Sequence, residues 1–247
     1  MAIKISIITV TYNAAAVLRP TMESVACQTY GDVEHLVIDG ASTDGTVEIA
    51  REYANARVVS EPDHGLYDAM NKGLRLATGD YVCFLNAGDR LHSTDTIAHI
   101  ASRAASSPHQ VCILYGHTDI VDSEGRFLRR RRLQPPPQLT WRSFKDGMLV
   151  CHQSFYVLRS IAPTYDLRYR FSADFDWCIR CMKEGERRGM VNVMLDEPLA
   201  DYLNEGMTTT NHRASLLERF RVMARHYGLF TTVAQHVWFI FRAIIKK

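Results

Sequence analysis

Long apolar runs are missing from these 247 residues: no uninterrupted stretch reaches the ~18 residues of a membrane-spanning helix. A large excess of charge is missing too. The formal net charge is +2, so wholesale electrostatic binding of nucleic acid is not implied. Neither the phosphate loop G-x-x-x-x-G-K-[ST] nor the dinucleotide fingerprint G-x-G-x-x-G occurs. Cysteine is sparse: six over this length make no disulfide framework and point to a reducing, cytosolic setting. Met1-Ala2-Ile3-Lys4 leads straight into a strand-like run, without the charged, apolar and cleavage regions of a signal peptide. Cys178 and Cys181 have C-x-x-C spacing, but on an expected helix with no second pair. They are expected to be buried small apolar residues, not a zinc or redox site.

What is present is the composition of a soluble globular protein, 47% apolar and 23% charged. Strand and helix patterns alternate from the start. Ile3 to Thr11 is β-branched and mostly apolar, as a strand covered on both faces should be. A helix is expected over Ala14 to Gln28, then a strand over Val33 to Ile38 closed by Asp39-Gly40. Thr43 or Asp44 can cap a helix running to Ala54, and Ala56 to Val59 is a short third strand. Leu66, Met70, Leu74 and Ala77 recur at helical spacing, with Asp68, Asn71 and Lys72 on the other face. Tyr81 to Leu85 reads as a buried fourth strand.

This β-α-β-α-β-α-β order implies right-handed crossovers, an α/β fold and a largely parallel sheet flanked by helices. All strand-to-helix loops then emerge on one side, bringing Tyr12, Asn13, Asp39, Asp63, Asn86 and Asp89 to one polar, acidic rim. Ligands of open α/β sheets bind at such strand ends. Turn and cap chemistry accounts for Ser42 to Thr46 in the loop after Asp39, but less well for a charge at a buried strand end. Beyond Asp95 the pattern is mixed. It holds a strand over Val111 to Tyr115, a hairpin around Ser123-Glu124-Gly125, a helix starting near Leu139, a strand over His152 to Leu158, a helix over Asp174 to Glu184 and an extended Val191 to Leu195.

Six pieces in order resemble the family 2 glycosyltransferases of GT-A fold. They are Ser6-Ile7-Ile8-Thr9-Val10-Thr11-Tyr12-Asn13, Asp39-Gly40-Ala41-Ser42-Thr43-Asp44-Gly45-Thr46, the Ser60 to Gly73 stretch around Glu61-Pro62-Asp63-His64-Gly65, Phe84-Leu85-Asn86-Ala87-Gly88-Asp89, Cys151-His152-Gln153-Ser154 and Ser172-Ala173-Asp174-Phe175-Asp176. The likeness is strongest to bacterial polysaccharide enzymes of colanic-acid type. It implies inverting transfer of a sugar from a nucleotide-diphosphate sugar to an acceptor hydroxyl, on a saccharide or polyprenyl-linked acceptor, in cell-surface polysaccharide or glycolipid synthesis. On this likeness Thr11, Tyr12, Asn13, Asp39, Asp63, Asn86 and His152 contact the donor, and Asp174 is the general base. The segment 86–89 takes the place of the family's D-x-D motif, where Mg²⁺ or Mn²⁺ bridges the diphosphate. The chain departs from that motif with Asn86 and Gly88, which leaves Asp89 as the expected metal ligand. The alternative role for Asp174 is a helix cap, and Asp176, two residues on, points elsewhere on the helix.

The catalytic domain is expected over 1–210, with an amphipathic helical extension over 211–247 that breaks near Gly228. In the extension Leu216, Leu217, Phe220, Met223 and Tyr227 interleave with Arg213, Arg219, Arg221 and Arg225, and an aromatic run ends in Lys246-Lys247. This suits either an interfacial helix on an anionic membrane or a helix packed on the catalytic domain. The former makes the protein peripheral on the inner face of the cytoplasmic membrane. The run Arg129 to Arg132 suits a solvated hairpin edge, an anionic membrane or a lipid-linked pyrophosphate. Two rival functions stand beside the transferase. A nucleotidyltransferase calls for a glycine-rich basic loop after the first strand, and Val10-Thr11-Tyr12-Asn13 offers none. A non-catalytic nucleotide-sugar-binding module is encouraged by the altered D-x-D.

Overall fold

Buried β-branched runs make the centre of the molecule. The computed structural model describes residues 2–204 and 212–245. Strands β1 (Ile5–Thr11), β2 (Val33–Asp39), β3 (Ala56–Ser60) and β4 (Tyr81–Phe84) pair in parallel in the order β3-β2-β1-β4. Every residue of β1 and β4 is buried, as parallel strands sandwiched between helices require. Helices α1 (Ala15–Ala26), α2 (Thr46–Arg51) and α3 (Leu66–Leu76) form the crossovers. The N-cap of α2 is Gly45 rather than Thr43 or Asp44; Asp44, one residue earlier, accepts the N–H of Thr46 and of Ala15 at the start of α1.

The sheet continues with a mixed half. After the two-residue β5 (Arg90–Leu91) come α4 (Thr96–Ala105), β6 (Val111–Val121), β7 (Phe127–Arg130), β8 (Phe155–Leu158), α5 (Ala173–Arg187) and β9 (Val191–Leu203). The full order is β3-β2-β1-β4-β8-β6-β9-β5, with β7 forming the expected hairpin on β6. The parallel pairings extend over more residues than the antiparallel ones, which join β4 to β8, β8 to β6, β6 to β7 and β9 to β5.

Three expectations are corrected here. His152–Ser154 is a 3-10 turn, not strand, because Gln153 and Ser154 turn inward to polar partners and strand begins only at Phe155. Only a 3-10 segment, Trp141–Asp146, follows Leu139. Asn71 is not on a polar outer face: it is buried, and its side-chain amide bonds both the N–H and C=O of Tyr165. The pattern after Asp95 also gave no sign of α4.

The main core lies between the sheet and α3 and α5. Tyr67, Tyr165 and Trp177 stack in series, with centroids 5.4 and 5.0 Å apart, and Phe84 meets Tyr165 edge-on. Cys178 and Cys181 are buried and free, as expected of small apolar residues. At the C-terminus α6 (His212–Tyr227) and α7 (Leu229–Ile245) meet at Gly228, whose φ of 83° breaks the helix. Val222 and Met223 of α6 are fully buried in the main core. The boundary expected at residues 210–211 and the terminal Lys246-Lys247 lie outside the described residues. Among the described residues no helix is long and apolar enough to cross a membrane.

Candidate active site

The C-terminal ends of β1, β2, β3 and β4 deliver the rim that their order predicts, and its floor is stitched together by side chains. Asp39 is buried at the end of β2, and its carboxylate accepts four hydrogen bonds. The donors are Thr11 Oγ1 (3.0 Å), Ser42 N (2.9 Å), Ser42 Oγ (2.5 Å) and Ser60 Oγ (2.7 Å). Burial pushes its pKa up, but the hydroxyls of Ser42 and Ser60, the Ser42 N–H and the Thr11 hydroxyl outweigh that and hold it low. The charge that seemed costly at a buried strand end therefore has its partners. Asn13, at φ 48°, accepts the Thr43 N–H and donates its own N–H to Ser42 Oγ. The loops after β1 and β2 are thus one unit.

Above this floor lie Tyr12 and Asp63. A Cβ on Gly40 would stand 2.6 Å from Asp63 Oδ2 and 3.3 Å from Tyr12 Cδ2, so both side chains close over that glycine. Tyr12 is 69% exposed, which leaves most of its ring available to a ligand. The loop carrying Asp63 is held by α3: Asp68 accepts the His64 N–H, and Lys72 donates to the Pro62 carbonyl.

After β4 the chain turns tightly, with Asp89 N–H on the Asn86 carbonyl. Gly88 has φ 97°, its N–H is held by Thr21 Oγ1, and a Cβ there would meet Leu203 Cδ2 at 2.9 Å. A side chain at that position would be strained by the positive φ and would press on Leu203, so the turn favours glycine where the motif has a carboxylate. Asp89 is buried, accepting Gln153 Nε2 at 2.7 Å and Leu203 N at 3.0 Å. Burial pushes its pKa up to about 6, against the pull of those two donors and of His152. The Asn86 Oδ1 atom is buried and meets no donor. An orphaned amide oxygen and a carboxylate with a spare lone pair on each oxygen are hard donors, and as such they fit a divalent cation.

Asn86 also begins a relay. Its Nδ2 lies 3.2 Å from His152 Nε2, and His152 Nδ1 lies 3.4 Å from Asp174 Oδ2. Tyr67 Oη donates to Asp174 Oδ1 at 3.2 Å, and burial keeps its phenol well above the usual range, hence protonated. For Asp174 burial acts upward, but the His152 hydrogen bond and the charges of His152 and Arg219 hold the carboxyl below its ordinary value. Asp174 lies in the first turn of α5 but is not its cap, since Ser172 takes the N-cap position. Asp176 belongs elsewhere: it is fully buried and paired with Arg180 (2.6 Å) and His226 (2.8 Å).

The structure therefore brings Asn86, His152 and Asp174 into one chain of contacts, and Thr11, Asn13 and Asp39 into the floor beside Tyr12 and Asp63. Tyr67 and Gln153 went unassigned in the sequence, although both stand inside quoted motifs. Another group with metal-ligand spacing, His92, Asp119 and Asp201, has its ligand atoms within 4.8 Å of one another. Arg130 Nε pairs with Asp119 at 2.7 Å and His92 Nδ1 lies 2.7 Å from Asp201, so both acids already have partners within the protein.

A parallel half joined to a mixed half, with an acidic turn after β4 and a buried acid at the start of α5, is the arrangement of a GT-A glycosyltransferase. The chain belongs to the family described as Glycosyl transferase family 2, whose profile matches residues 6–162. It is 40% identical over 185 residues to a PGL/p-HBAD biosynthesis glycosyltransferase of Mycobacterium bovis, covering 71% of this chain and 68% of that protein. It is 28% identical over 216 residues to the amylovoran biosynthesis glycosyltransferase AmsB of Erwinia amylovora, covering 81% of this chain and 69% of that one. Among solved structures, S. aureus TarS 1-349 in complex with UDP-GlcNAc superposes with TM-score 0.70 at 20% identity, over 89% of this chain and 64% of that one. The mannosyltransferase PcManGT from Pyrobaculum calidifontis, in complex with GDP-Man and Mn2+, gives TM-score 0.60 at 18% identity, over 95% and 74% of the two chains. At these identities the structures share the fold. The chain is a glycosyltransferase.

Proposed function

We propose that this glycosyltransferase inverts configuration at the anomeric carbon, taking its sugar from a nucleotide diphosphate, and that Asp174 is its general base. The observation that carries this reading is the Asp174 carboxylate at the sheet rim, oriented by Tyr67 and His152 and held ionised despite burial. The acceptor hydroxyl gives its proton to Asp174 while its oxygen bonds to the anomeric carbon. The bond from that carbon to the diphosphate oxygen breaks on the opposite face, so configuration inverts. His152 fixes the rotamer of the base and lies between it and Asn86 on the donor side. Tyr12 supplies a ring face for the nucleotide base and Asp63 a polar edge, over the floor that Asp39, Thr11 and Asn13 build. A divalent cation, Mg²⁺ or Mn²⁺, would be held by Asp89 and Asn86 and would supply positive charge to the diphosphate.

The relatives in PGL/p-HBAD and amylovoran biosynthesis support an acceptor in glycolipid or polysaccharide assembly, saccharide or polyprenyl-linked. The last helix supports a cytoplasmic enzyme resting on an anionic membrane. Phe230, Val233, Val237, Ile240 and Phe241 of α7 are exposed, while Thr232, Gln235 and His236 on its other side are bonded within the protein. The Arg129 to Arg132 run only partly serves such a surface. Arg131 turns inward to the carbonyls of Leu133, Met148 and Leu149, and Arg130 pairs with Asp119.

The test is sugar transfer or donor hydrolysis with Mn²⁺ present, comparing wild type with Asp174→Asn. A fall of roughly 10²–10⁴ in turnover is expected, with thermal stabilisation by the donor retained. Undiminished turnover in the variant would remove Asp174 as the base.

A further inference from the structure

α5 starts without a local cap. The first N–H groups of a helix need acceptors from outside it, and a serine at the N-cap position ordinarily supplies one. Here the Ser172 hydroxyl makes no such bond and donates instead to the Ser215 carbonyl of α6, at 3.3 Å. The approach to the helix is held instead from another part of the chain, through the N–H of the N-cap residue and of the two residues before it. Glu218 of α6 takes the Arg170 N–H on Oε1 (2.9 Å) and the Phe171 and Ser172 N–H groups on Oε2 (2.7 and 3.1 Å). Three successive N–H groups converging on one anion form the kind of concavity that elsewhere binds phosphate, and here the protein fills it with its own carboxylate.

The remainder of α6 fixes the position of that carboxylate. Val222 and Met223 are buried in the core, Arg225 pairs with Asp166 at 3.1 Å, and His226 pairs with Asp176 at 2.8 Å. The next residue, Arg219, lies over the ring of Phe175, 5.4 Å from its centroid. α6 thus grips the segment on both sides of Asp174, which stands two residues past the last N–H that Glu218 holds. Its contacts with Tyr67 and His152, at 3.2 and 3.4 Å, are side-chain contacts whose length depends on where α5 begins. A displacement near 1 Å in such a constellation can cost about a hundredfold in rate.

We propose that Glu218 is a positioning residue for Asp174, and that α6 is part of the transfer machinery. The matched family residues, 6–162, do not reach α6. The inference rests on Asp174 being the base, so the experiment is a double-mutant cycle. Wild type, Glu218→Ala, Glu218→Gln, Asp174→Asn and Glu218→Ala/Asp174→Asn are compared for kcat and donor KM, with melting curves to establish folding. Glu218→Ala is expected to lower kcat ~10–100-fold with donor KM within about threefold of wild type. Glu218→Gln, which keeps one acceptor oxygen, is expected to fall between Glu218→Ala and wild type. In the Asp174→Asn background the further loss should vanish, because a residue acting through the base has nothing left to position. Folded Glu218→Ala with kcat within twofold of wild type overturns the proposal, and so does an equal loss in both backgrounds. Should Glu218→Ala not fold, the same comparison with Glu218→Gln in both backgrounds decides. Full activity of Asp174→Asn alone would instead sink the assignment of the base.

Discussion

Gly73 stands at the closest approach of α3 to the sheet. A methyl group there would lie 2.4 Å from Ile8 Cγ2 and 3.2 Å from Ile38 Cγ1, and both isoleucines are buried in β1 and β2. Neither can give way easily, since β1 is hydrogen-bonded on both sides, to β2 and to β4. Separating those atoms to ordinary contact requires about 1 Å of movement, and overpacking on that scale costs ~1–3 kcal/mol. Against this, replacing a helical glycine with alanine contributes ~0.5–1 kcal/mol. Gly73→Ala should therefore lose ~1–2 kcal/mol, a fall in Tm of roughly 2–8 °C for a chain of this size. The control is Gly31→Ala, where nothing lies within 4 Å of the added carbon. Calorimetry should show that variant within ~0.5 kcal/mol of wild type, as for ordinary surface positions. Because α3 also carries Tyr67, Gly73→Ala should lower kcat where Gly31→Ala does not. A Gly73→Ala protein as stable as wild type would refute the packing argument, since helix propensity would then be the larger effect.

Three further outcomes are expected. Tyr12→Ala should raise donor KM roughly 3–10-fold at unchanged kcat and Tm, matching ~0.5–1.5 kcal/mol of ring stacking; an unchanged KM would exclude the base contact. His35 is buried, and burial holds its pKa to about 4 against an ordinary 6.5. Its contribution to stability is therefore complete above pH 6.5 and is lost as pH falls toward about 4, with ~2 kcal/mol gone by pH 5. His35→Gln should flatten the difference in Tm between pH 7 and 5, and an identical acid loss in the variant would count against it. Phe230→Glu with Trp238→Glu, at positions 93% and 51% exposed, should abolish co-sedimentation with anionic vesicles while sparing transfer to a soluble acceptor. Unchanged sedimentation would remove the membrane role.

The fold was legible where local pattern and global topology agree. The four parallel strands announce themselves by β-branched runs ended with turn residues, and right-handed crossovers then fix the rim. Asn86, His152 and Asp174 could be named from motifs, but not their contact in series, which depends on β8 pairing beside β4. Asp39 was legible as a polar strand end, while its four internal donors were not, because Ser42 and Ser60 read as ordinary turn residues. Asn71 was misplaced for a similar reason: an amide at helical spacing with Asp68 and Lys72 looks solvated, and only the buried backbone at Tyr165 explains it. Glu218 left least trace. In an Arg-rich amphipathic helix one glutamate reads as a charge partner, and the N–H groups it accepts lie 46 to 48 residues away.

The stitched floor bears on how donor preference can change. Asn13, Ser42, Thr43 and Asp39 are bonded to one another, so on the proposed reading little loop ordering would oppose donor binding. On the donor reading proposed above, selectivity for one nucleotide over another would fall to the two side chains at its edge, Tyr12 and Asp63, which close over Gly40 above that floor. An enzyme arranged this way can exchange one donor for another by substitution at its margin.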